Sequence, residues 1–291
     1  MADPQITPFK LPVRRSVGLA VRWTVAIVLR HWMVVVLFAV TVGVVQWALT
    51  PSQVVGQPVN PGGWFLLVNL LVLVAYAVAS VVLAMLTHNE VLRGPSGLDA
   101  ATLGRGPGRG FGYVLDAILV SLIPAIGLML LIAVVSAVAW IVAGGAGTQG
   151  VAALTTVGML VGVLGFAGVV NRLMLRLPSR ALGHPDRWGD IWRMGRGNTW
   201  RLLGANLLLW LLLVVPVLLV SLPFIATLLT WTPKLGEAMP EPPLLLTLVG
   251  GAIIPVEIIL FCAFLSVAYG QLRAASAPDI TPSAGRIEPG F

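Results

Sequence analysis

The sequence predicts an all-α polytopic membrane protein with six transmembrane helices and further amphipathic helices at the membrane interface. Of its 291 residues 58% are hydrophobic and only 10% are charged, and the mean hydropathy is +0.95. Soluble domains carry about 25% charged residues, so this chain has too few charges to solvate a globule of its size. The apolar residues form six long blocks separated by polar joints, which is typical of helices that cross a bilayer repeatedly.

Each apolar block is close to or longer than the roughly 20 residues that a helix needs to cross a 30 Å hydrocarbon core. The prolines at 124, 216 and 223 are expected to bend the two longest blocks. Around the spans we expect a flexible N-terminus at residues 1–13 and a flexible tail at 273–291, which leaves one membrane domain at 14–272. The six predicted spans cover residues 32–50, 64–87, 112–142, 151–175, 201–231 and 244–271.

The basic residues predict the orientation of the spans. Joints 51–63 and 143–150 contain no Lys or Arg, and joint 232–243 contains only Lys234. The other basic residues flank the opposite ends of the blocks. Because Lys and Arg accumulate on the cytoplasmic side of a membrane, we expect both termini to be cytoplasmic.

Two segments on that side are predicted to be amphipathic helices lying at the membrane surface. Segment 14–31 places Arg15, Arg22 and Arg30 on one side of a helix, next to apolar residues. Segment 184–200 places Trp188 and Trp192 on one side, with charged residues around the rest.

A weak internal repeat suggests three related hairpins in the same orientation. Gly104-Arg105-Gly106 lies 20 residues before Pro124, and Gly195-Arg196-Gly197 lies 21 residues before Pro216. Each would begin a unit made of a basic surface segment, a span outward, a short loop and a span back.

Several classes of function are disfavoured by what the sequence lacks. The net charge of +7 comes mostly from arginines between apolar blocks, which indicates topology and not nucleic-acid binding. Neither lysine follows a glycine, so there is no Walker A motif. The histidines at 31, 88 and 184 are scattered and are expected to be partly solvated. We therefore predict no catalytic residue, no metal site, no cofactor, no enzyme activity and no nucleic-acid partner.

Five arginines form the predicted functional face. Arginine stems can lie along apolar surface while the guanidinium groups reach lipid phosphates, so the favoured function is a non-catalytic, membrane-organising or accessory module that binds anionic lipid headgroups or a larger membrane complex. A purely structural role in anchoring the spans is the alternative. The five are Arg172, Arg176, Arg187, Arg193 and Arg196.

One carboxyl group supports a rival hypothesis, a transporter or channel for ions or small solutes. Glu257 lies near the middle of the last span, two residues after Pro255, and a carboxylate at this depth costs about 2–3 kcal/mol. Tyr76 in the second span is a candidate hydrogen-bond partner. Asp116 is expected to stabilise a helix N-terminus or to pair with Arg109.

A glycine stripe in the fourth span predicts close helix packing. Gly158, Gly162 and Gly165 recur at helical spacing, so another backbone can approach them. Packing within the chain is favoured, and a homodimer through the same stripe is the alternative.

Four segments carry a resemblance to a known family. Those beginning His88-Asn-Glu-Val, Arg172-Leu-Met-Leu-Arg, Ile191-Trp-Arg-Met-Gly and Ser266-Val-Ala-Tyr resemble the YciC-like proteins, relatives of the glycerophosphoryl diester phosphodiesterase membrane domain. That family consists of bacterial, often alphaproteobacterial, inner-membrane proteins. The resemblance implies six helices, an inner-membrane location and no known activity. Family members often have Arg after the histidine, where this chain has Asn89.

Overall fold

The described part of the chain folds into helices. The computed structural model describes residues 9–49, 63–94, 107–142, 147–183, 185–232 and 244–276, and within these ranges it contains no strand. The predicted all-α class is therefore confirmed. The helices are α1 Val13–Arg30, α2 Trp32–Leu49, α3 Gly63–Arg93, α4 Pro107–Val142, α5 Gly147–Leu173, α6 Arg176–Ala181, α7 Trp188–Met194, α8 Thr199–Thr230 and α9 Leu244–Ser276.

The predicted spans correspond to α2, α3, α4, α5, α8 and α9. By length and composition, five apolar helical stretches can cross a membrane, and α1 with α2 makes a sixth candidate that is bent by 88°. The bend at His31 turns α1 across the end of the bundle. Helix α8 continues through Pro216 and Pro223, since a proline costs a helix one backbone donor without ending it when neighbouring groups compensate.

Helix α9 is the central helix of the bundle. It packs against α1, α2, α3 and α8. In its most apolar stretch of 18 residues 39% is buried, compared with 6% in the corresponding stretches of α4 and α8. The buried side of α9 runs through Ile259, Ala263 and Val267, none of which has exposed surface. Its neighbours are therefore held together chiefly through this one helix.

Helices α2 and α9 approach each other closely where they cross. A Cβ atom added to Gly251 would lie 2.6 Å from the carbonyl oxygen of Ala39 and 2.8 Å from the backbone nitrogen of Gly43. Only glycine permits two backbones to approach this closely. The sequence pattern did not single out this crossing.

The glycine stripe of α5 packs within the chain. Added Cβ atoms at Gly158 and Gly162 would lie 2.5 Å from Val135 and 2.4 Å from Leu131, both on α4, whereas Gly165 has open space. Packing between α4 and α5 thus uses two of the three glycines, and only Gly165 stays available for a homodimer. Helices α4 and α5 form a close hairpin, but α2 packs mainly against α9 and only slightly against α3, so the three-hairpin repeat stays a prediction.

One end of the bundle contains α1, α6 and α7, and we call it the basic end. Helix α1 packs there against α8 and α9 through the buried residues Ser16, Ala20 and Ile27. The opposite side of α1 exposes Arg14, Arg15 and Arg22, among others. The segment predicted to lie on the membrane is therefore also part of the protein core.

Candidate functional site

Three of the five predicted arginines are exposed at the basic end. Arg187 precedes α7, Arg193 lies in its last turn and Arg196 follows it, and all three are exposed. Arg193 forms an ion pair with Asp190, in which the arginine side chain is 80% exposed. Such an exposed pair contributes little to stability. Trp192, with 43% of its surface exposed, lies among these charges, a combination suited to the headgroup layer of a membrane.

The other two predicted arginines make contacts inside the protein. The guanidinium group of Arg172 lies 3.8 Å from the centre of the Trp192 ring and donates to the Trp192 carbonyl oxygen. That of Arg176 lies 4.2 Å from the centre of the Trp188 ring and donates to the carbonyl oxygen of Asp186. Their positions favour the structural alternative that the sequence left open, because these contacts fix α7 to the end of α5.

Asp116 pairs with two arginines of α6. Its Oδ2 lies 3.1 Å from Nε of Arg176 and 3.4 Å from Nε of Arg180, and its side chain is 5% exposed. The side chain of Arg109, the partner expected from the sequence, lies outside those that the structure describes. Gly112 makes the arrangement possible, because a Cβ atom there would lie 2.1 Å from the Arg180 side chain.

The histidines were predicted to be partly solvated, and for two of them this is wrong. His88 has no exposed surface; its Nδ1 lies 2.7 Å from the Ser266 hydroxyl and its Nε2 3.0 Å from the Tyr113 hydroxyl. These contacts join α3 to α4 and α9. Both ring nitrogens thus have partners inside the protein, as buried polar groups generally do. His184 lies outside the described residues.

His31 is the second buried histidine, and Glu90 is its partner. Its Nε2 lies 2.6 Å from Glu90 Oε1, while Arg30 contacts the other carboxylate oxygen at 3.0 Å. The Glu90 side chain is 1% exposed, so the pair is shielded from water. This contact fixes the bend between α1 and α2 to α3.

Further hydrogen bonds hold the segment that carries the exposed arginines. The Tyr269 hydroxyl on α9 donates to Asp186 at 2.6 Å. Asn198, just after α7, accepts from the Leu11 backbone N–H and donates to the Phe9 carbonyl oxygen, both at 2.8 Å. These hydrogen bonds hold the backbone that carries the exposed arginines. Binding at this face would therefore cost less conformational entropy.

In the described part of the chain, no polar contact joins Glu257 and Tyr76, the two residues of the transport hypothesis. Glu257 is half-buried on α9, and no side chain in the described ranges makes a hydrogen bond or ion pair with it. Tyr76 is half-buried, and its ring centre lies 5.8 Å from that of Phe38. In the part of the chain that is described, no three His, Cys, Asp or Glu side chains form a group that could hold a metal ion.

Comparison of the chain with protein-family models, with curated proteins and with solved structures finds no match. The resemblance to the YciC-like family therefore stays a prediction. The chain is an all-α protein whose apolar helices are long enough to cross a membrane several times.

Proposed function

We propose that this chain is a non-catalytic module of the bacterial inner membrane, with its basic end in the cytoplasm, that binds anionic lipid headgroups. The observation that carries the proposal is the exposure of Arg187, Arg193 and Arg196 around the exposed Trp192. Basic side chains near an anionic membrane surface contribute about 1 kcal/mol each. Arg193 is paired with Asp190, so the other two arginines supply about 2 kcal/mol, on the order of a thirtyfold preference for anionic lipid.

The proposed orientation is tested by reporter fusions. Fusions after residues 58, 147 and 238 are expected to be periplasmic, and those after residues 100 and 190 cytoplasmic, because the basic residues flank the latter joints. A reversed reporter at any one of these joints contradicts the orientation.

The lipid preference is tested with a triple substitution. Replacing Arg187, Arg193 and Arg196 by Gln is expected to remove the enrichment of phosphatidylglycerol over phosphatidylcholine among lipids retained in native mass spectrometry. The matched control replaces the same three residues by Lys, which keeps the charge, and is expected to keep most of the enrichment. Equal enrichment in the Gln variant and the wild type would overturn the proposal and favour a protein partner at this face.

Transport is a second candidate function, favoured by one observation. Glu257 lies within a span without a polar partner among the described side chains, and intramembrane carboxyl groups are costly unless they pair, lose their charge or line a solute path. The Glu257→Gln variant is expected to abolish pH-dependent flux in proteoliposomes while the protein stays folded. Wild-type liposomes no more permeable than empty ones across a panel of ions would remove this candidate.

A further inference from the structure

A groove between α4, α5 and α8 has features of a lipid site within the spans. It has a volume of about 430 Å³, inside the range of about 300–1,000 Å³ that ligand pockets occupy. The groove is open along one side, and its walls are mostly apolar. It is lined by Leu128, Val163, Phe166, Ala167 and Val170, among others.

Polar groups line the groove among these apolar side chains. Asn206 donates to the side-chain oxygen of Asn171, and both residues line the groove together with Ser121. In the described parts of the spans, most Ser and Thr hydroxyls donate a hydrogen bond to the carbonyl oxygen four residues earlier, as Ser80 and Ser221 do. No such bond is formed by Ser121 among the described residues. An amide and a hydroxyl with donors to spare inside a membrane gain free energy from any acceptor that reaches them.

Asn206 lies near the level of phospholipid ester linkages when the start of α8 is placed at the outer edge of the headgroup layer. It is the eighth residue of α8, about 10 Å from the start of that helix at 1.5 Å per residue. The polar region of a bilayer adds about 5–7 Å on each side of the hydrocarbon core. The amide pair then lies about 3–5 Å inside the core, within reach of an ester carbonyl group of a lipid seated in the groove.

The adjacent end of α5 carries uncompensated positive charge. Arg172 follows Asn171 in sequence, and its side chain lies against Gly195, the residue before Arg196. In the ranges that the structure describes, neither arginine forms an ion pair with a carboxylate. The Nε of Arg172 is buried and has no hydrogen-bond partner. Two neighbouring guanidinium groups without a carboxylate are complementary to a phosphate.

We propose that this groove binds one acyl chain of a glycerophospholipid, with an ester carbonyl group at Ser121 and Asn206 and the phosphate at Arg172. The proposal extends the proposed function from the surface into the spans, and it rests on that function only for placing the chain in a phospholipid membrane. An acyl chain fills the apolar walls, and the linkage supplies the acceptors that the protein leaves unpaired.

The first test fills the groove. Ala125 lines it and is exposed, so Ala125→Phe adds a ring there; the control is Ala133→Phe, at an exposed alanine of α4 that does not line the groove. In native mass spectrometry from mild detergent, the wild type and the control are expected to retain one phospholipid per chain, and Ala125→Phe about tenfold less, or about 1.4 kcal/mol. Ser121→Ala provides a milder variant that leaves the walls intact, and it is expected to lower retention about threefold. Retention in Ala125→Phe equal to that in Ala133→Phe would overturn the proposal.

The second test locates the lipid. Phosphatidylglycerol and phosphatidylcholine carrying a diazirine on one acyl chain are expected to label α4, α5 and α8, and the matching diacylglycerol, which lacks the phosphate, about fivefold less. Labelling confined to other helices would contradict the proposal. The variant with Gln at positions 187, 193 and 196 distinguishes lipid binding in the groove from the proposed binding of anionic headgroups at the surface. If it abolishes phosphatidylglycerol enrichment while groove labelling persists, both proposals stand; if wild-type enrichment is absent but labelling persists, only the proposed function fails.

Discussion

The crossing of α2 and α9 allows a quantitative test, because the atoms nearest to an added Cβ at Gly251 all belong to the backbone of α2. In a Gly251→Ala variant the new Cβ atom would lie 2.6 Å from the Ala39 carbonyl oxygen, where ordinary contacts begin at 3.4 Å. The helices would have to separate by about 0.8 Å, the difference of those two distances, since no flexible side chain can move away. Overpacking of this kind costs about 1–3 kcal/mol. Alanine recovers about 0.5–1 kcal/mol through its higher helix propensity.

Gly250→Ala is the matched control, because an added Cβ atom there has nothing within 4 Å. It receives the same gain in helix propensity without the clash, so the two variants should differ by about 1–3 kcal/mol in the free energy of unfolding. The assay is unfolding by SDS in mixed micelles, followed by circular dichroism. If the two variants agree within about 0.5 kcal/mol, the usual scatter for neutral substitutions, the close approach of α2 and α9 is wrong.

Three further predictions concern the basic end. Glu90→Gln weakens the contact with His31. It is therefore expected to lower the free energy of unfolding by about 1.5–3 kcal/mol, the contribution of a charged hydrogen bond. An unchanged midpoint of SDS unfolding would argue against a bend fixed by Glu90. Asn198→Ala removes two hydrogen bonds of about 1 kcal/mol each, and limited proteolysis should then cut near residues 9–12 faster than in the wild type; equal rates would refute the tether. Gly112→Ala should displace the Arg180 side chain and lower the midpoint of SDS unfolding. Gly110→Ala, with open space at its Cβ position, should leave the midpoint unchanged. Similar midpoints in the two variants would count against the packing of Arg180 on Gly112.

The sequence sufficed for the spans because long apolar blocks in a bilayer have few alternatives to helix. It also located α1 and the region of α7, where apolar and charged residues separate onto two sides. The packing partners of each span were less predictable, because the spans are apolar on every side. Lipid-facing and protein-facing surfaces then look alike in the sequence. The sequence therefore could not show whether Gly158 or Gly251 lies at the tighter helix contact.

The polar contacts of the site depended on tertiary structure. Asp116 and Arg176 are 60 residues apart, and His31 and Glu90 are 59 apart, so spacing alone gave no sign of either pair. One signal was present: charged or imidazole groups recur within a few residues of the basic ends of the spans, and such groups near a bilayer pair with one another. The pattern predicted five arginines at the lipid-binding face, but the structure exposes only the three around α7, since Arg172 and Arg176 stack on Trp192 and Trp188.

The contact between α2 and α9 also constrains how the chain is made. About 195 residues separate the end of α2 at Leu49 from the start of α9 at Leu244, and synthesis at about 5–20 residues per second takes about 10–40 s over that length. Throughout this interval the surface of α2 around Gly43 has no α9 against which to pack, and lipid or another membrane component must cover it. Substitutions at the crossing should consequently leave insertion of α2 unchanged and act only after α9 has left the ribosome.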